Sequence, residues 1–293
     1  MTTGDRQNTY ALLPFIEKAL RYQLSRFSED DVLLSDSDEL ENRFLSGSAN
    51  LSTQCIAYDA FISLSYLFEG IGKSDKAAEV RNAAQRVRRG IKNYFEAEVE
   101  GYDTYRYCKE EDKLRSWICL PLTVGIEDRK KGTVDALLSD KLFKDGGILT
   151  RSGEKTYWDR SALYAIKGLF IAQEKEKAYR LLKAYTEARL KGEHAPYPRE
   201  AYPEGNAAHL SAESGLYLRI FIEWIIGYRP TVFDSFEIRP SLPDEWSYIR
   251  VKNICLCGKT TDIEITSEND KYNISIGKRE FSIEKGKTLS VVF

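Results

Sequence analysis

The sequence predicts a mainly α-helical chain of stacked helical hairpins, closed by a small antiparallel β-module, and three observations carry that expectation. Apolar residues recur at helical spacing over most of the first 230 positions. Long loops rich in acids, aromatics and glycine separate the helix pairs. Beyond Pro230 the period changes to two. The expected division is a helical domain over residues 1–230 and a β-module over 231–293, and 293 residues suffice to bury a sizeable core.

The first helix is expected over 9–27, with Leu12, Phe15, Ile16, Ala19, Leu20 and Leu24 forming its apolar face. The acidic run SEDDVLLSDSDELENRF breaks that pattern. Helices over 51–68, closed by Gly70 and Gly72, and over 75–95 read as an αα-hairpin, with Arg81, Arg86, Arg88 and Arg89 on a solvated face. Residues 114–124 are apolar and expected to be buried, 132–138 form a short helix, and the glycines of KDGGILTRSGEKTYWDR mark a loop. The 161–172 helix places Ser161, Ala165, Gly168 and Ala172 on one side, where small residues permit close approach, and its partner runs over 174–190.

In 195–230, Pro196, Pro198 and Pro203 forbid a helix and hold Arg199, Glu200, Tyr202 and Glu204 close together. A helix is expected from 207 to 226, buried on most sides through Leu216, Ile220, Phe221, Trp224 and Ile225. Gly227 supplies its C-cap and Pro230 prevents its continuation. The segments FEIRP, YIRVKN, TDIEIT, YNISI, EFSIEK and TLSVVF then alternate as antiparallel strands. When paired helices stack in a ring, their long loops collect at one end.

Charge narrows the partners. With 43 basic and 45 acidic residues, the net of −2 gives no electrostatic case for nucleic acid or an anionic membrane, so a neutral partner is expected. Aromatics reach 12%, which suits sugars and equally suits a large helical core. Cys55, Cys108, Cys119, Cys255 and Cys257 show no metal spacing and are expected to be reduced thiols, with Cys255 and Cys257 on one strand face. His194 and His209 are too scattered for a zinc site, so neither metal nor cofactor is expected. The opening MTTGDRQNTYALL lacks a signal-peptide pattern and no apolar run is long enough to span a bilayer. As written the chain is cytoplasm-like; a secreted or periplasmic origin would need an export signal outside it.

Four constellations bear on chemistry. Asp36, Asp38, Glu39 and Glu41 crowd beside Arg43, an arrangement that raises at least one carboxyl pKa unless compensated; a solvated loop is the alternative. Trp117, in LRSWICLPL, reads as a sugar-stacking ring or as core. Asp159, beside Tyr157, Trp158 and Arg160, reads as a helix N-cap or as an acceptor for ligand hydroxyls next to the Trp158 ring. Glu200, Glu204 and Glu213 are the carboxylates of the proline-rich stretch, Glu213 lying inside the helix where Arg219 or another base would tie it. Glycoside hydrolysis needs one acid to protonate the leaving oxygen and one carboxylate to attack or to activate water. They stand about 5 Å or about 6.5–9.5 Å apart, according to the stereochemical outcome. Phosphate-loop, G-x-S-x-G and H-E-x-x-H signatures are absent from the sequence.

The order TYWDRSALYAIKGLF, PYPREAYPEG, HLSAESGLYLRIFIEWIIGYRP and FEIRPSLPDEW, followed by a strand-rich tail, resembles the closing half of the six-hairpin (α/α)6 glycosidases, nearest to the bacterial α-L-rhamnosidase group. ENRFLSGSANLSTQCIAYDAFISLSYLFEGIGK is similar to a mid-barrel loop and helix of that group. The resemblance implies a partial or complete (α/α) toroid followed by a β-sandwich or sheet, and a sugar pocket at the loop end. It implies a base at Glu200 first and Glu204 second, with an acid at Glu41 or Asp38. Trp158, Asp159, Trp117, Arg43, Tyr202 and His209 would serve as substrate-binding residues. The expected substrate is a neutral oligosaccharide or glycoside, hydrolysed without metal and with inversion. A closed ring of six helical pairs needs more than the about eight helices that periodicity predicts here. The resemblance therefore also implies a missing N-terminal barrel portion that carries the acid, or a homodimer formed through an apolar edge. The alternatives are a non-catalytic carbohydrate-binding or assembly module, and a lyase or epimerase using Tyr202 and His209.

Overall fold

The structure is a computed structural model, and it describes residues 3–35, 37–38, 40–41, 43–191, 201–202 and 211–293. The helices are α1 Arg6–Ser25, α2 Leu51–Gly70, α3 Ser74–Gly90, α4 Leu120–Thr123, α5 Lys130–Leu137, α6 Asp159–Ile171, α7 Lys175–Arg189 and α8 Ser211–Arg219. Wider turns extend two of them, Ile91–Phe95 after α3 and Ile220–Ile225 after α8. No helix among the described residues is long and apolar enough to cross a membrane. Two compact units divide the chain, one of residues 1–22, 62–80 and 219–293, the other of 23–61 and 81–218.

Short strands of the second unit pair two by two, β1 Glu96–Val99 with β2 Tyr102–Tyr105, β3 Phe143–Lys144 with β4 Gly147–Ile148, and β5 Tyr157–Trp158 with β6 Ala201–Tyr202, whereas the first unit contains two larger sheets. One pairs β7 Tyr228–Pro230, β8 Ser235–Ile238 and β13 Leu289–Val292; the other has β9 Tyr248–Leu256, β10 Lys259–Glu268, β11 Lys271–Ile276 and β12 Arg279–Glu284 as an antiparallel meander. Alternation sends Ile263, Ile265, Tyr272, Ile274 and Ile276 into the core. Gly227, at φ +77°, ends the helical run as expected, and a Cβ there would lie 2.0 Å from the Arg239 carbonyl oxygen. Cys255 and Cys257 do not share a strand face: Cys255 is exposed on β9, whereas Cys257 lies past its end, buried and at positive φ.

α1 starts at the Asp5 cap, whose Oδ1 accepts the Asn8 amide at 2.9 Å, and it carries Pro14 inside. The apolar face expected of it is only partly covered. Leu20 and Leu13 are buried, while Leu12 and Phe15 are 56% and 70% exposed. Periodicity identifies a stripe but not the surface that covers it.

In the second unit, α6 packs on the Ser116–Thr123 segment through the expected small-residue face: Ser161, Ala165 and Ala172 are fully buried, and a Gly168 Cβ would stand 3.1 Å from the Cys119 carbonyl oxygen. The α3 arginines are more than a solvated face. Asp31 takes Arg86 at 2.7 Å and Arg89 at 3.0 Å, Arg88 reaches Asp128, and the Arg86 guanidinium lies over the Phe27 ring. The run after α6 and α7 also differs from expectation: among the described side chains of α8, Glu213 and Leu216 are buried but Leu218 is 64% exposed.

Candidate functional site

The acidic segment between α1 and α2 bends because Asp38 folds back on its own backbone, Oδ1 accepting the N–H groups of Leu40 and Glu41 at 3.0 and 3.1 Å. That turn drives Glu41 inward. Its Oε2 accepts Trp117 Nε1–H at 2.9 Å and Arg115 Nη2–H at 3.2 Å, and its Oε1 accepts Arg43 at 2.8 Å. Arg115 and Trp117 come from the start of the short 3₁₀ turn Ser116–Cys119, anchored by the Ser116 amide on the Thr150 carbonyl at 3.0 Å. Tyr107 donates to Asp38 Oδ2 at 2.7 Å, and the Arg115 guanidinium lies over the Tyr107 ring at 3.6 Å. The side chains of Asp38, Glu41 and Arg115 are all fully buried. Buried charges survive only when paired and hydrogen-bonded, and here two acids share Arg115, with Arg43 completing the charge balance.

A second cluster adjoins the first through Trp158. β5 Tyr157–Trp158 pairs with β6 Ala201–Tyr202, so Trp158 stands opposite Ala201. The guanidinium groups of Arg43 and Arg160 each lie 5.4 Å from the Trp158 ring, and Trp117 meets that ring edge-on at 6.2 Å. Arg160 Nε donates to Glu213 Oε1 at 2.9 Å. Asp159 is neither an N-cap nor free for a ligand as placed. It is the first residue of α6, and its oxygens take Arg189 Nε at 2.7 Å and the Tyr185 hydroxyl at 3.2 Å. Burial nevertheless dominates and pushes the Asp159 carboxyl up to about 6.

Six of the ten residues expected at a site are thereby brought into one neighbourhood: Asp38, Glu41, Arg43, Trp117, Trp158 and Asp159. Glu200, Glu204 and His209 lie outside the described residues, and Tyr202 enters only through its backbone pairing. Trp117 is corrected in role. Its ring is fully buried, so as placed it cannot stack on a ligand; its indole N–H fixes Glu41 instead. Glu213 is tied to Arg160, whereas Arg219 pairs with Glu223. Arg115, Tyr107, Tyr185 and Arg189 were not expected here. A lone arginine just ahead of the apolar run WICLPL was the available signal for the first of them.

Three atoms at this site, Arg115 Nε–H, Trp158 Nε1–H and Glu213 Oε2, are buried and have no hydrogen-bond partner among the described residues, and the last two lie in the cluster around Trp158. A buried donor and acceptor left in this way suit the hydroxyl groups of a ligand. No group of acids, histidines and cysteines among the described residues is arranged to hold a metal ion.

No family model matches the sequence, and no curated protein matches it either. Solved structures do. A sialidase superposes with a TM-score of 0.74 at 16% identity, over 98% of this chain and 31% of its own. An α-L-rhamnosidase from Dictyoglumus thermophilum superposes with a TM-score of 0.59 at 15% identity, over 94% of this chain and 31% of its own. The chain thus spans under a third of the length of either protein. At such identities the likeness is one of fold, and the chain has the glycosidase-like helical-hairpin fold with its following β-module.

Proposed function

We propose that this chain carries a sugar site of an α-L-rhamnosidase-like glycoside hydrolase, working through carboxylates without a metal and with inversion. The observation that carries the reading is the meeting over the Trp158 ring of Arg43 and Arg160, which hold carboxylates from two separate segments, Glu41 and Glu213, beside a buried indole N–H and a buried carboxylate oxygen that have no partner among the described residues. The fold shared with a sialidase and a rhamnosidase supports it.

In this reading Glu200, the residue before β6, is the base that activates water, and Glu204 is second in line. Glu41 is the acid. Two of its three side-chain donors, Arg115 and Trp117, are fully buried and share Oε2, whereas Arg43 on Oε1 keeps 35% of its side chain exposed. Oε1, on the side of the partly exposed Arg43, is therefore the oxygen of Glu41 that would face the leaving group. Asp38, locked by two backbone amides and Tyr107, supports that turn. The same full engagement of Glu41 favours a second reading, a carbohydrate-binding module without turnover.

A panel of aryl glycosides separates them. Release of the aryl group that falls about 100-fold or more in both Glu200→Gln and Glu41→Gln, with the Glu200→Gln melting temperature unchanged, supports hydrolysis. Sugar-dependent rises in melting temperature with no release on any glycoside support binding alone. Neither effect with any sugar overturns both.

A further inference from the structure

The four-stranded sheet of the first unit presents to water a surface whose composition is not that of a generic strand face. Cross-strand register places Tyr248, Thr266, Asn273 and Ser282 in one row and Arg250, Glu264, Ser275 and Glu280 in the next. Every position in these rows is a hydrogen-bonding residue. Six residues of these rows, Thr266, Asn273, Arg250, Glu264, Ser275 and Glu280, line an open groove of about 360 Å³, which Asp262 and Gly277 complete. Gly277 takes positive φ, +59°, and a Cβ there would stand 2.9 Å from Thr261 Oγ1.

We propose that this groove is a carbohydrate-binding site, separate from the Trp158 site, which takes a segment of a neutral oligosaccharide chain. Three features set the ligand class. Tyr248 does not line the groove but stands beside it, since its cross-strand partner Thr266 does; it is 61% exposed, whereas Tyr272 on the opposite face of the same sheet is buried, and an aromatic ring held in water next to polar side chains offers a platform for the apolar face of a pyranose. Asp262 is held by the Asn253 amide on Oδ1 at 3.0 Å and by Arg250 on Oδ2 at 3.5 Å, whereas Glu264 meets Arg250 through Oε2 alone, at 3.4 Å, a contact long enough for that carboxylate to accept sugar hydroxyls as well. Finally, three carboxylates (Asp262, Glu264 and Glu280) face one guanidinium, and this excess of negative charge repels uronates and sulfated glycans. The groove is open, so it grips a passing chain rather than enclosing a single sugar.

The test is affinity electrophoresis and titration of the full chain with cellohexaose, maltohexaose, xylohexaose and, as the anionic control, hexagalacturonate. At least one neutral hexasaccharide is expected to bind. Tyr248→Ala and Asn273→Ala should each weaken it at least tenfold with the melting temperature unchanged, while Glu200→Gln, which probes the other site, should leave it unaltered. Binding that survives both substitutions, preference for hexagalacturonate, or no binding to any neutral member overturns the proposal. None of these outcomes depends on whether the chain hydrolyses glycosides.

Discussion

Both units carry ion pairs in water, but among the described residues the buried charged side chains lie in only one of them. In the unit of residues 23–61 and 81–218, Glu41 and Asp159 are almost completely buried, and each is gripped by an arginine and by an aromatic side-chain donor. In the other unit the ion pairs sit in water: Glu17 takes Lys73 and Lys76 across part-exposed side chains, and Arg219 and Glu223 pair one helical turn apart. Exposed pairs contribute little, because water screens them and side-chain entropy opposes them. Buried pairs matter most when one partner is lost. The contrast marks where the fold holds polar groups in fixed positions, and those positions are the candidate site.

The contrast is broken most strongly at Arg115. Arg115→Met leaves Asp38 and Glu41 facing one another without their shared cation, and should lower unfolding stability by about 3–5 kcal/mol in chemical denaturation. Adding Glu41→Gln to Arg115→Met removes one of the two stranded charges, so the double variant should be more stable than the sum of the single losses implies. Strict additivity would show that the two side chains do not act as a pair.

Asp159 sharpens the contrast through pH. Its folded carboxyl is raised to about 6 by burial, above its unfolded value, so the native state holds the proton more tightly than the unfolded chain does. The native state then gains from protonation below about pH 4, and that advantage is lost as pH rises through about 6. A shift of about two units corresponds to about 3 kcal/mol at most. Relative to Asp159→Asn, the native chain should therefore lose stability between about pH 4 and 6 in denaturation curves recorded across that range. Parallel curves would mean that Arg189 and Tyr185 offset the burial in full.

The sequence spoke clearly wherever a single segment decides the outcome. Gly227 stops a helix because the next turn needs positive φ and close backbone approach, and the period-two segments after Pro230 became strands. It was silent wherever two distant segments decide. Asp159 reads as a cap or as an acceptor for ligand hydroxyls because its neighbours make a helix start beside an aromatic ring, but its partners, Tyr185 and Arg189, lie a helix away. Arg115 drew no notice because a single charge before an apolar run resembles a solvated end, while its acids stand more than 70 positions earlier. α1 differs in kind: spacing puts Leu12 and Phe15 on its apolar face, yet both face water.

The smallest expected effect tests the other side of the contrast. Glu17 accepts from Lys73 and Lys76, and these two ammonium groups hold its carboxyl below the usual carboxylate range. The three side chains keep between 23% and 40% of their surface in water, so the pairs are screened and Glu17→Gln should leave the melting temperature within experimental scatter at ordinary ionic strength. Because the interaction is Coulombic and exposed, any loss that does appear should be larger at low salt and vanish at high salt. A loss comparable to that of Arg115→Met, and independent of salt, would mean that this ion pair supports the fold as strongly as the buried ones do, and the distinction between the two units would fall.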